Sequence, residues 1–167
     1  HPLLEEYNHR AETPDLGVDY EPGKLVAFLP GSRGSEIKSL LPIMEEAASA
    51  LGSMGWQPVF SVAPGLNPTV RAEMIRHYDG PGGALMEAAD CAVGASGTIT
   101  VEALLRRRYM VVTYRLNPIS ALVARCVIKT KYYAMANILA GCEMFPELLQ
   151  EKATAANLTD AALAWLE

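Results

Sequence analysis

Five residues without a polar side chain, Leu25-Val26-Ala27-Phe28-Leu29, run directly into Pro30-Gly31-Ser32-Arg33-Gly34-Ser35-Glu36. A strand that is apolar on both faces must be covered on both, which suits a parallel sheet held between layers of helix. The segment after it supplies two flexible glycines, a hydroxyl and a guanidinium just before a helical pattern. Unpaired amides and the helix dipole favour negative charge at such a junction, and Arg33 adds a fixed fork of donors that matches a phosphate. The same Gly-Ser turn also serves simply to join a strand to a helix, and the segment alone leaves both readings open.

The rest of the chain alternates in the same way. Apolar residues at Leu40, Leu41, Met44, Ala47, Ala48 and Leu51 mark one buried helix face. Pro42 fits a first turn, which starts the regular helix near Ser39 and makes Gly34 to Lys38 a separate capping turn. Pro58 to Val62 reads as a second strand, and Asn67-Pro68 opens a helix through about His77. A glycine-rich break at Asp79 to Gly83 precedes a short helix to Asp90. Cys91 to Gly94 is strand-like, Thr98 to Arg106 helical, and Met110 to Tyr114 a further strand. Helices follow at about Pro118 to Ile128, at Pro146 to Gln150, and from a cap at Thr159. Strand and helix in alternation predict an α/β fold with a doubly wound parallel sheet and a ligand at the carboxyl ends of its strands.

At 167 residues the chain suits one domain. Fourteen basic residues against 19 acidic ones give a net charge of −5, which argues against a nucleic-acid binder. Charge is unevenly spread, since no acidic residue occurs from Ala103 to Cys142, where Arg106, Arg107, Arg108, Arg115, Arg125, Lys129 and Lys131 lie. That window is either a run of solvated charges or a surface that meets phosphate or anionic lipid. Cys91, Cys126 and Cys142 form no C-x-x-C pair and read as reduced packing residues. No apolar run is long enough to span a membrane and no signal peptide is evident, so the interior of a cell is expected. The chain opens with His1-Pro2 and stops at Glu167 inside an apolar-periodic segment, as a piece of something longer would.

Gly94-Ala95-Ser96-Gly97-Thr98 repeats the logic of the first junction, with glycines and two hydroxyls at another helix start. Two such loops can hold two phosphates. Glu102, one turn beyond Thr98 on the same face, then has the position to accept hydrogen bonds from ribose hydroxyls; alternatively it is only a favourable first-turn acid. Other machinery is missing from the sequence. No G-x-x-x-x-G-K-[ST] follows Leu29, Gly31 to Gly34 lacks the dinucleotide fingerprint, and Gly94 to Thr98 is not a G-x-S-x-G elbow. His1, His9 and His77 have no metal-ligand spacing, and His77 reads as a surface residue. The chain looks built to hold a ligand.

Taken together, these residues resemble the C-terminal half of lipid-A-disaccharide synthase, a bacterial glycosyltransferase family of two Rossmann-like domains (the GT-B architecture). The resemblance rests on an ordered set: His1-Pro2-Leu3, Leu29 to Glu36, Ala95 to Thr98 with Glu102, Met110-Val111-Val112 with Tyr114-Arg115, Lys129-Thr130, Asn137 to Gly141, and Pro146 to Gln150. It covers nearly the whole chain. It implies that residues 1–167 are a single nucleotide-sugar-binding domain of a larger two-domain enzyme. That enzyme would move diacyl-glucosamine from UDP to the 6-hydroxyl of diacyl-glucosamine 1-phosphate, with no metal and no cofactor. Gly31, Ser32, Arg33 and Gly34 would meet phosphate, with Arg33 stabilising the leaving group. Ser96, Gly97 and Thr98 would cradle the diphosphate, Glu102 would hold the ribose and Asn137 would contact the nucleotide side of the cleft.

No certain catalytic residue falls in this half. The resemblance assigns the acceptor site and the general base to a missing N-terminal domain, so this half alone would bind without turnover. It also admits a homodimer and a peripheral place on the cytoplasmic face of the inner membrane, where the Pro118 to Ile128 helix with its basic flanks would touch lipid if it does not simply face the core. Departures from the family pattern are Ala136 and Lys131, in place of a proline and an acid, and a shortened Ile75 to Gly83 that reduces an expected strand to about Arg76 to Asp79. Alternatives are another GT-B glycosyltransferase, a UDP-sugar epimerase, which would need its own acid/base pair, and a non-enzymatic nucleotide-binding module.

Overall fold

Leu25–Leu29 forms β1, and all of it is buried. The computed structural model describes residues 15–17, 19–61, 76–116 and 130–167. Along the chain these form β1, α1 (Gly34–Ser53), β2 (Gln57–Ser61), β3 (Arg76–Tyr78), α2 (Gly82–Ala88) and β4 (Cys91–Ala95). There follow α3 (Thr98–Leu105), β5 (Met110–Tyr114), α4 (Met135–Ala140), β6 (Glu147–Leu149), a single 3₁₀ turn at Gln150–Lys152, and α5 (Ala155–Leu166).

The six strands make one sheet in the order β3-β2-β1-β4-β5-β6, every pairing parallel. Alternation along β1 divides the core. Val26 and Phe28 face Leu40, Met44 and Leu51 of α1 and Leu158 of α5, while Leu25, Ala27 and Leu29 face Leu85 and Met86 of α2 and Ala103 of α3. Phe28 stacks on Phe60 of β2 with ring centroids 4.8 Å apart. Each large apolar side chain removed from water here contributes about 1.5–3 kcal/mol, which is why the doubly wound arrangement wins.

Because all strands run one way, their carboxyl ends share one edge. The strand order reverses between β1 and β4, and there the connections leave to opposite faces of the sheet and open a crevice. Pairing of Leu29 with Gly94 sets the Gly31 loop beside the Ser96 loop. An added Cβ on Gly94 would lie 2.6 Å from Met110 Cε and 3.0 Å from Leu29 Cβ, so β1, β4 and β5 approach closely here and a side chain would have to displace Met110 and Leu29.

Several expected boundaries change. α1 is continuous from Gly34, with Pro42 inside it rather than in its first turn. The amide hydrogen that Pro42 lacks would have paired with the Lys38 carbonyl, and both residues are on the exposed side, where that loss costs least. Residues 76 and 77 belong to β3, not to the end of a helix, because Val59 and Phe60 pair with Arg76 and His77. His77 is exposed, as expected of a surface residue.

Pro146 to Gln150 is not a helix. Glu147–Leu149 pairs with the edge of β5, Val112 N–H donates to the Pro146 carbonyl at 2.9 Å, and Thr113 Oγ1 donates to the Leu148 carbonyl at 3.0 Å. α5 starts at Ala155, capped by Thr154 Oγ1, which accepts from Asn157 N–H at 3.2 Å. Thr159 is inside that helix and donates to the Ala155 carbonyl. α4 is an element that the sequence pattern does not predict; Gly141, at φ 69°, ends it in the left-handed conformation. Most of the Asn67 helix, the Pro118 to Ile128 helix and the His1-Pro2-Leu3 segment lie outside the described residues.

Burial also settles the character of one thiol. Cys91 is fully covered in β4, and burial, helped by the Asp90 charge, pushes its pKa up to about 12, while Cys142 is exposed. Iodoacetamide at neutral pH should alkylate Cys142 and spare Cys91 in the native protein, as read by peptide mapping. Equal labelling of the two would contradict the buried β4.

Candidate functional site

A cleft of about 570 Å³ lies at the carboxyl ends of β1 and β4, between the two glycine loops. Gly31, Ser32, Arg33, Ser96, Gly97, Thr98 and Glu102 all line it, so seven of the nine expected site residues are brought together. Gly34 stands immediately behind, as the first residue of α1. Neither Arg33 nor Gly97, the residues preceding α1 and α3, caps its helix with a side chain. The first-turn amides and dipoles of the two helices therefore favour an anion at this place.

Gly31 has φ 103°, and a Cβ there would lie 2.7 Å from Glu36 Oε2. The first of these facts requires glycine. They also expose a residue that the sequence pattern hides: Glu36, 9% exposed, tucks its carboxylate under the loop and pairs with Arg33 Nη1 at 3.3 Å. The Arg33 side chain is otherwise 77% exposed. Glu36 thus tethers the guanidinium from below while leaving most of it open to a ligand. An acid three residues after Arg33, on the same helix face, is the signal that could have found it.

Asn137 is placed differently from the expectation. It is fully buried: Oδ1 accepts from the amides of Met144 and Phe145, both at 2.9 Å, and Nδ2 donates to the Phe145 carbonyl and Glu147 Oε1, both at 2.8 Å. Its amide is occupied in tying α4 to the approach of β6 and does not reach the cleft. Glu147 in turn accepts from the amides of Tyr133 and Ala134.

The far rim comes from the ends of β2 and β3, where Ser61 Oγ donates to the Gly80 carbonyl at 3.3 Å and the Gly80-Pro81-Gly82 backbone borders the cleft. A second chamber of about 770 Å³ shares Arg33, Glu36 and Ser96 with the first and extends past Tyr114, Lys131 and Lys152. Lys131 Nζ lies 5.0 Å from the Tyr132 ring centroid, and its interaction with the Tyr132 hydroxyl raises the ammonium's pKa. Gly80, Pro81 and Gly82 follow the end of β3, and Lys131 belongs to the basic window.

The basic window resolves into separate roles. Arg106 is buried and ion-paired to Glu87, and Arg108 Nη2 donates to the Glu87 carbonyl at 2.7 Å, so neither belongs to an open basic surface. Arg125 and Lys129 lie outside the described residues.

The cleft can neutralise a diphosphate between two helix starts and a guanidinium, with a carboxylate one turn further on for hydroxyl groups. A family model described as lipid-A-disaccharide synthetase matches residues 1–167. The lipid-A-disaccharide synthase of Azotobacter vinelandii is 38% identical over 182 residues, covering 100% of this chain and 48% of its own length. That of Gluconobacter oxydans is 39% identical over 147 residues, covering 81% and 35%. The chain thus spans about half, or less, of these curated relatives. Among solved structures, the kitacinnamycin glycotransferase superposes with a TM-score of 0.60 at 19% identity, covering 95% of this chain and 38% of that one. The E. coli ADP-heptose lps heptosyltransferase II does so with a TM-score of 0.56 at 13% identity, covering 99% and 50%. These two likenesses are of fold.

Proposed function

We propose a function whose premise is the family: the chain belongs to the lipid-A-disaccharide synthetase family. In our reading, residues 1–167 are the nucleotide-sugar-binding domain of a two-domain enzyme that transfers diacyl-glucosamine from UDP to the 6-hydroxyl of diacyl-glucosamine 1-phosphate. The half of its relatives that this chain does not span would supply the acceptor site and the general base.

One observation carries the reading. Parallel pairing of β1 with β4 joins the Arg33 loop and the Ser96-Gly97-Thr98 loop in one cleft, with Glu102 in its wall. As the glycosidic bond to the diphosphate breaks, charge develops on the leaving UDP. Fixed dipoles at the starts of α1 and α3, with Arg33 over them, stabilise it without reorganising. Glu102 accepts hydrogen bonds from the ribose hydroxyls, and the Gly80-Pro81-Gly82 rim lies on the side left for the base. Asn137 supports the loop after α4 and has no part in binding. The enzyme works in the cytoplasm, at the inner-membrane surface, because the acyl chains of both substrates draw them to the bilayer. No helix among the described residues is long and apolar enough to cross a membrane.

Calorimetry with UDP, ADP and NAD tests the reading. UDP should bind tightest; equal affinities, or no binding of any of them at low salt, would remove the donor-site assignment. Arg33→Lys should weaken UDP on the order of tenfold, because an ammonium lacks the planar fork and forfeits a charge-assisted hydrogen bond. Undiminished affinity would leave Arg33 with no place in the site.

A further inference from the structure

Behind the carboxylate in the cleft wall stands a buried guanidinium. Arg106 follows α3 with its side chain only 4% exposed. Its Nη1 donates to Glu87 Oε2 of α2 at 2.7 Å, and its Nη2 lies 3.7 Å from Glu102 Oε2, one helical turn back. Gly83 of α2 closes the cluster, since a Cβ there would collide with Glu102 Oε2 and crowd Arg106 Nη2.

Burying an arginine is expensive, and an apolar pair would join α2 to α3 at least as well. Here the guanidinium even leaves its Nε without a hydrogen-bond partner among the described residues. What the arrangement supplies is a fixed positive charge, anchored on one side by Glu87 and facing Glu102 on the other. At 3.7 Å the contact with Glu102 is beyond hydrogen-bond range and acts through charge, in a setting where water screens it little.

We infer that Arg106 is the positioning residue of Glu102: anchored by Glu87, it fixes the place of the carboxylate that meets the ribose. The inference rests on the proposed donor site, in which Glu102 binds the nucleotide. It predicts that Arg106 governs how the site distinguishes a ribose from a 2′-deoxyribose while touching neither.

The test is calorimetry of UDP and 2′-deoxy-UDP on the protein at its natural length. The unaltered protein should prefer UDP by about tenfold, the value of one charge-assisted hydrogen bond. Arg106→Met should reduce that ratio to about twofold or less, and Arg106→Lys should restore part of it. Thr98→Ala, on the phosphate side, should weaken both ligands alike and leave the ratio intact.

A purely structural Arg106 would behave as Thr98 does, lowering both affinities together, and that result overturns the inference. Should Arg106→Met fail to fold because Glu87 loses this ion pair, Glu87→Gln with Arg106→Met removes both charges and must still lose the ratio. The two readings separate on Glu102→Ala. If that variant keeps the preference for UDP, Glu102 does not hold the ribose and the donor-site reading fails with the inference. If Glu102→Ala abolishes the preference and Arg106→Met retains it, only the positioning role is overturned.

Discussion

Asn137→Leu should lower the stability of the folded chain by about 3–4 kcal/mol, seen as a lower urea midpoint with an unchanged slope. Leucine has nearly the same volume, so the loss comes from polarity. Four hydrogen bonds of 2.8–2.9 Å disappear; the amide and carbonyl of buried Phe145 lose their partner where water does not replace it, and the part-exposed Met144 amide and Glu147 oxygen lose one each. Asn137→Asp should also destabilise, because a carboxylate cannot donate to the Phe145 carbonyl and would face Glu147. Measured well below the unfolding transition, UDP affinity should change little in either variant. A stable Asn137→Leu protein that had lost UDP would make Asn137 a ligand contact after all.

Glu102→Ala should have the opposite profile. Loss of charge-assisted hydrogen bonds to the ribose should weaken UDP by roughly 1.5–3 kcal/mol, between about tenfold and more than a hundredfold. Stability should move less, since the Glu102 side chain is 19% exposed and Arg106 keeps its 2.7 Å bond to Glu87. Arg33→Lys and Glu102→Ala probe opposite ends of one cleft, so their effects on UDP should add to within a few tenths of a kcal/mol. Unchanged UDP affinity in folded Glu102→Ala would reduce Glu102 to a partner of Arg106.

The legible parts of this molecule are those whose local pattern and tertiary burial agree. Leu25–Leu29, Met110–Tyr114 and the helix from Thr98 carry continuous apolar runs or a glycine-hydroxyl start, and they form where the sequence places them. Short elements at the sheet edge are another matter. Glu147–Leu149 has too few residues to show a period, and it is a strand only because β5 offers an open edge. Pro42 misleads for a related reason: the apolar face of α1, packed from Ile37 to Leu51, outweighs a local penalty of about 3 kcal/mol.

The site divides in the same way. Arg33, Ser96, Gly97 and Thr98 sit directly after strands, so the parallel topology alone carries them to one edge. Glu102 follows from the helix period. Asn137 resembles a binding residue in sequence, yet its surroundings after folding use every polar atom it has. Glu36 follows from its i,i+3 spacing to Arg33, whereas Glu87 and Arg106 depend on how α2 packs against the end of α3, and a chain read by charge runs places Arg106 on the surface, when α2 in fact covers it.

A structure of the chain with UDP bound would locate the nucleotide outright. The diphosphate should lie between the Ser96-Gly97-Thr98 loop and Arg33, with the ribose hydroxyls on Glu102 and the base toward Gly80-Pro81-Gly82. UDP seated instead among Lys131, Tyr132 and Lys152, with Glu102 untouched, would contradict it.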